Sequence, residues 1–235
     1  MITIARTGSA AAVAAEVRDV PARVLPYAAS AALTRTALAA QKLIVERMPS
    51  VFDRPTPYTL NATRVVPSTV QTLLARVAVK DQAGRGIAPE AFLLPEVAGG
   101  SRSEKRFERA LRYAGILQPG ERVVPGVDAP LDAFGNLQRS VLSRILAVTA
   151  ARPSLKRRSK ASLAEGTLYF VGAIRGQRGV WRRDGRKLSP ILIFVRAQPH
   201  YRSRLDFESI ARAAAEANFP REFQTAVAAL RQRMG

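Results

Sequence analysis

Cysteine is absent from all 235 residues, which excludes disulfides, zinc-thiolate sites, thiol nucleophiles and iron-sulfur clusters. Histidine occurs once. Catalysis by the common routes needs a nucleophile with its base, two opposed carboxylates or a metal cluster, and little here can supply them. His200 stands isolated after Pro199, among Tyr201, Arg202 and Arg204. Asp128 and Asp132, with Glu121, are close enough in sequence to suggest a divalent cation, but Pro130 intervenes and no third acid follows at a ligand spacing. Gly84-Arg85-Gly86 and Gly99-Gly100 lack the strand and helix context of a phosphate-cradling loop and read as hinges. No apolar run approaches the ~20 residues of a membrane span, and the Ala-rich start is interrupted by Arg6, Glu16, Arg18 and Asp19. The expectation is a soluble chain that is not an enzyme, requires no cofactor and has no membrane partner.

Negative charge is scarce: 18 acids face 37 Lys and Arg, a net charge of +19. The excess is local. From Arg139 to Arg204 sixteen basic residues meet only Glu165 and Asp184, whereas the remaining 169 residues carry twenty-one basic and sixteen acidic side chains. A block this dense faces a polyanion, is neutralised by a partner, or stays solvated. Thirty-one of the cations are Arg and six are Lys. That bias suits bidentate contacts to carboxylate or phosphate, and GC-rich coding would produce the same bias.

What the chain does contain, 47 % hydrophobic residues, is enough for a core. Met1 to Ala5 alternates as a short strand before an Ala-rich helix from Ser9 to Arg18. The strongest helix follows Tyr27, with Leu33, Ala37, Ala40, Ile44 and Met48 on one face and Pro49 at its end. Phe52 to Pro67 holds three prolines and predicts at most a turn or short helix. Val70 to Lys80 alternates as a half-buried strand. Between Ile87 and Gly135 the Pro- and Gly-rich sequence reads as an insertion with one helix, Ser103 to Ala114, on which Glu108 and Arg112 form a favourable pair. Another helix spans Leu137 to Val148. Asp206 caps a helix that Pro220 is expected to break, and a second one carries Phe223, Val227, Leu230 and Met234.

The basic block divides in two. Arg152 to Lys160 has five cations around Pro153 and reads as an exposed, mobile loop. Thr167 to Arg196 reads as a three-stranded meander, with turns at Gln177-Arg178-Gly179 and Asp184-Gly185. Trp181, in the middle strand, either packs on the first helix with the neighbouring arginines in water, or stands exposed as an interface anchor or base-stacking platform.

The segment Gly99-Gly-Ser-Arg-Ser-Glu-Lys-Arg-Phe-Glu-Arg-Ala-Leu-Arg112, then Ala114-Gly-Ile-Leu-Gln-Pro-Gly120, Val124-Pro125 and Leu131-Asp-Ala-Phe-Gly-Asn136, resembles a family of tailed-bacteriophage virion proteins. Similar proteins share a basic hairpin, a strand like Ile191 to Val195, and motifs like Asp206-Phe207 and Phe219 to Phe223. The general plan also looks like minor tail protein Z and the tail-completion proteins. The resemblance implies a ring-forming, homo-oligomeric component of the neck, head-to-tail connector or proximal tail. Its partners would be portal, adaptor or tail proteins, with genomic DNA in the channel, and its location the virion after assembly in the host cytoplasm. The role of residues 99–136 is left open.

The expected fold is α+β: a long N-terminal helix packed on a small antiparallel sheet, a helical insertion and two C-terminal helices. Residues 1–86 and 151–235 are expected to form one composite domain, interrupted by 87–150. Arg157, Arg158, Lys160, Arg175 and Arg178 are the candidates for contact with DNA or an acidic partner. Trp181, Arg182, Arg183, Arg186, Phe223 and Leu230 are the candidates for a subunit interface. The alternative function is a nucleic-acid-binding protein acting in solution through the same block. A virion-associated hydrolase or nuclease using Asp128 and Asp132 is a third.

Overall fold

A computed structural model describes residues 2–4, 23–84, 86–101, 103–149, 167–196 and 200–233. In chain order its elements begin with β1 (Ile2–Ile4), α1 (Leu25–Val51), α2 (Pro57–Leu60), β2 (Thr63–Val66) and β3 (Ala75–Val79). Next come α3 (Glu90–Ala98), β4 (Gly100–Ser101), α4 (Arg106–Tyr113), β5 (Arg122–Pro125) and α5 (Arg139–Val148). The meander is β6 (Thr167–Ile174), β7 (Gln177–Asp184) and β8 (Lys187–Val195), followed by β9 (His200–Tyr201) and α6 (Phe207–Gln232). The class is α+β, with the long helix packed on a small antiparallel sheet and on the C-terminal helix.

The chain divides into two compact units, residues 1–100 with 201–235, and residues 101–200. The first is built on α1. Leu33, Ala37, Ala40, Ile44 and Met48 are all buried, as their spacing of three and four residues requires of one helical face. Ala75 and Val77 of β3 join them, in a sheet ordered β1-β3-β2 with all pairs antiparallel. Gln41 of α1 ties β2 down by donating to the Thr63 carbonyl at 3.1 Å and hydroxyl at 3.2 Å. Val24, Ala28 and Ala32 continue the α1 stripe against Phe223, Ala226 and Val227 of α6, while Phe207, Ala211 and Ala214 meet its other half. The two helices therefore run antiparallel, and the alanines at their contact let the backbones approach closely.

Instead of the two expected C-terminal helices there is one, and Pro220 lies inside it. An internal proline costs about 3 kcal/mol through a lost hydrogen bond and a clash. Ala211, Ala214 and Ala215 before it, and Phe223, Ala226 and Val227 after it, are all buried, and that apolar contact outweighs the break. Asp206 does cap the helix, accepting from the Ser209 N–H at 3.0 Å. Likewise Pro49 lies inside α1 rather than ending it. The 52–67 stretch holds a strand as well as its short helix, because Thr63, Val65 and Val66 are β-branched and Pro67 favours an extended residue before it. The expected 70–80 strand shortens to Ala75–Val79, since Leu73 takes φ +45°. The expected helix at 9–18 lies outside the described residues.

The second unit differs most from expectation. Its sheet is ordered β5-β8-β7-β6, all antiparallel, so Arg122–Pro125 is an edge strand of the meander. The supposed insertion thus starts near residue 101 and includes the meander; it does not leave residues 167–196 to the N-terminal core. Residues 87–100, read as part of it, carry α3 and group with the first unit. Leu111, Leu117, Val123, Val141, Ile145, Val180 and Ile191 make up much of its core.

Candidate functional site

β6 and β7 are joined by a two-residue loop, Arg175-Gly176, with both residues at positive φ, +50° and +77°. That is the loop whose twist matches a hairpin, and it normally selects Asn-Gly or Gly-Gly. Arg175 therefore holds a left-handed conformation that costs an ordinary L-residue about 1 kcal/mol. The turn expected at 177–179 is strand instead. Gly179 faces the Leu192 carbonyl so closely that a Cβ would lie 2.1 Å from the oxygen, and the β7–β8 register shifts beside it, between Val180 and Trp181. The second loop is Gly185-Arg186, one residue later than expected.

On one face of this sheet lie Tyr169, Val180, Leu192 and Phe194, packed with residues of α4 and α5. A polar frame fixes that face. Glu108 of α4 has 0 % exposure; its Oε2 accepts from the Lys105 N–H at 2.8 Å and its Oε1 from the Val123 N–H at 2.9 Å. A single carboxylate thus caps the helix and anchors β5. Glu121, 3 % exposed, accepts from the Gln118 N–H at 2.7 Å and from Arg178 Nη1 at 2.7 Å. Arg178 Nη2 also donates to the Ile116 carbonyl at 3.1 Å, and its guanidinium lies 5.7 Å from the Phe194 ring centre. Arg112 completes the frame: it pairs with Glu104 at 2.6 Å and donates to the carbonyls of Gln118 and Glu121. Glu104 precedes α4, so this ion pair spans eight residues rather than the four of the expected Glu108 pairing.

Several candidates change role as a result. Arg178 is a framework residue, not a free contact, because it neutralises a buried carboxylate 57 residues away in the chain. Trp181 is only 6 % exposed and is no protruding anchor. It pairs with Phe170 and Pro190 across the sheet, and its Nε1 donates to the Gly172 carbonyl at 3.2 Å. Phe223 is buried against α1 in the other unit, and Leu230 packs partly on the same cluster. Arg182 is half-buried, its Nε enclosed without a hydrogen-bond partner. Arg175, Arg183 and Arg186 are exposed, together with Lys187. Arg183 lies 5.9 Å from the Phe170 ring centre, which orients it on the open face. Arg157, Arg158 and Lys160 lie outside the described residues.

The acids around residue 128 have local employment. Asp132 Oδ1 accepts from the Phe134 and Asn136 N–H groups, each at 2.9 Å, shaping the loop before α5. Among the described residues no three His, Asp or Glu are grouped to hold a metal ion. His200 is exposed. Elsewhere, on the surface of the first unit, hydrogen bonds from Arg54 hold the Asp53 carboxyl below its usual range.

The site is therefore a sheet that displays exposed guanidinium groups on its loops and outer face, and the planar guanidinium fork matches the geometry of carboxylate and phosphate. Sequence reasoning took Glu108 and Arg112 only as a helix-face pair and Glu121 only as a possible cation ligand, and missed the frame they form with Glu104. Their signal was present: acids are rare in this half of the chain, and Glu108 sits next to the apolar face formed by Phe107 and Leu111. Among the described residues, no helix is long and apolar enough to cross a membrane. No family model matches the chain, and neither the curated proteins nor the solved structures give a match.

Proposed function

We propose that this protein is a structural subunit of a tailed-bacteriophage particle, assembling in several copies as a ring at the neck, connector or proximal tail. The reading joins the resemblance of residues 99–136 to the geometry of those same residues. Glu104, Glu108, Arg112 and Glu121 lie in that segment, and each is engaged in bracing a sheet. That bracing is the observation that carries the reading: the segment that bears the resemblance braces a sheet, and Arg175, Arg183, Arg186 and Lys187 of that sheet are exposed. Cations carried on a hydrogen-bonded sheet suit docking between subunits, since little backbone entropy is lost on binding.

Quantitative mass spectrometry of purified particles tests it, together with the solution mass of the isolated chain. The expected result is a fixed stoichiometry of several copies per particle. A chain absent from particles and monomeric on its own would overturn the reading. The competing role, binding nucleic acid in solution, predicts duplex-DNA affinity that falls with salt at a log–log slope of about −0.9 per neutralised phosphate.

A further inference from the structure

Sheet edges among the described residues are treated unequally. β1 has three residues; β2 has four, includes Arg64 and is followed by Pro67; β5 has four, includes Arg122 and ends in Pro125. Short strands, charge and proline are the usual means of keeping an edge from pairing. β6 has none of them. It is eight residues long, Thr-Leu-Tyr-Phe-Val-Gly-Ala-Ile, without charge or proline, and among the described residues it pairs with β7 alone. Ile174 and Gln177 flank the two-residue loop, so they form a hydrogen-bonded pair, and the pattern alternates from there. The N–H and C=O groups of Tyr169, Val171 and Ala173 consequently point to the open edge. Leu168 is 48 % exposed and Val171 39 %.

We propose that β6 accepts an added strand from an extended, acidic segment of another protein. Main-chain bonds to Tyr169, Val171 and Ala173 would supply the pairing, and Leu168 and Val171 the apolar contact. Charge selects the occupant. Arg175 follows β6 in its loop, Arg182 and Arg183 stand on β7 opposite Tyr169 and Leu168, and Arg186 and Lys187 lie at the next loop, with Asp184, opposite Thr167, the sole acid from 168 to 196. A second copy would bring the same cations, whereas an acidic strand is complementary. The inference stands on the sheet edge and does not depend on incorporation into a particle.

The probe is a ten-residue peptide alternating Val and Glu, compared with a version N-methylated at alternate residues and a version with Lys for Glu. Expected are binding of the first to the full chain with slowed amide exchange at Tyr169, Val171 and Ala173, and at least tenfold weaker binding of the other two. Val171→Pro should weaken the first peptide at least tenfold while melting like wild type, because proline is tolerated where an edge N–H faces outward. If that variant fails to fold, the methylated peptide on the wild-type chain decides alone. Equal binding of the methylated and unmethylated peptides would overturn strand addition. So would stronger protection of these amides by a 20-base-pair DNA duplex, which would make nucleic acid the occupant. An oligomer that Val171→Pro dissociates would place a second copy on the edge and overturn the acidic partner. Intact peptide binding by a chain missing from particles would sink only the particle reading. Normal particles with no peptide binding would sink only the strand addition.

Discussion

Residues 1–100 with 201–235 and residues 101–200 solve the burial problem by different means. In the first unit the described buried polar residues are the neutral Ser30, Thr36 and Thr63, and the helix contact is lined by alanines. In the second they are Glu108, Glu121 and Ser189. The second unit is also the more basic, with twenty Lys and Arg against seven acids, compared with seventeen against eleven. Its scarce acids are therefore concentrated where they matter structurally. An apolar interface tolerates small changes in shape gradually, whereas a buried carboxylate that serves two backbone donors fails all at once when removed. The unit that displays the cations is the one whose buried carboxylates are tied by backbone N–H groups and Arg178.

The two halves can be followed separately. Trp181 is the only tryptophan and reports on the second unit, while α1 and α6, with 27 and 26 residues, dominate the helical circular-dichroism signal from the first. Glu108→Ala is expected to have the largest effect. It orphans the Lys105 and Val123 N–H groups, so a loss of about 3–5 kcal/mol is expected in denaturation followed by Trp181 fluorescence, with little change in the circular-dichroism transition. Coincident shifts in both signals would show that the two units do not unfold independently.

Arg178→Met comes next, at about 2–3 kcal/mol in the same assay, because Glu121 loses its partner while Arg178 itself is partly solvated. Arg183→Met, by contrast, should stay within about 0.5 kcal/mol of wild type, as expected for an exposed side chain. Equal losses for the two would erase the distinction between framework and surface arginines. Ala211→Leu should destabilise the first unit by about 1–3 kcal/mol through overpacking, visible in circular dichroism and not in fluorescence. The smallest effect is a gain: Arg175→Asn should stabilise the hairpin by about 0.5–1 kcal/mol by relieving the left-handed Arg. An unchanged or lower melting temperature would show that Arg175 makes compensating contacts.

Much of the first unit was legible because its signals are local. The α1 stripe, the alternation at Ala75 and Val77, and the Asp206 cap each depend on residues within a turn or two of one another. Pro220 misled because the α1 contact that overrides it lies far off in sequence. In the second unit the meander itself was legible, but its first turn was not, since an Arg at a position favouring Asn or Gly carries no turn signal. The pairing of β5 with β8 joins residues about seventy apart, and that long-range pairing moved the unit boundary. The candidate site was half legible. Arg175, Arg183 and Arg186 face out as expected of cations, whereas Arg178 turns inward to a carboxylate that only the folded chain brings near.

The proposed role is that of a frame serving a display: the buried carboxylates hold a sheet whose exposed cations would join the chain to an assembled particle. Its most direct test is the copy number per particle of a chain carrying Arg175→Glu, Arg183→Glu and Arg186→Glu, measured by mass spectrometry alongside its Trp181 melting curve. Incorporation is expected to fall at least tenfold with an unchanged melt; wild-type copy number at an unchanged melt would rule that role out.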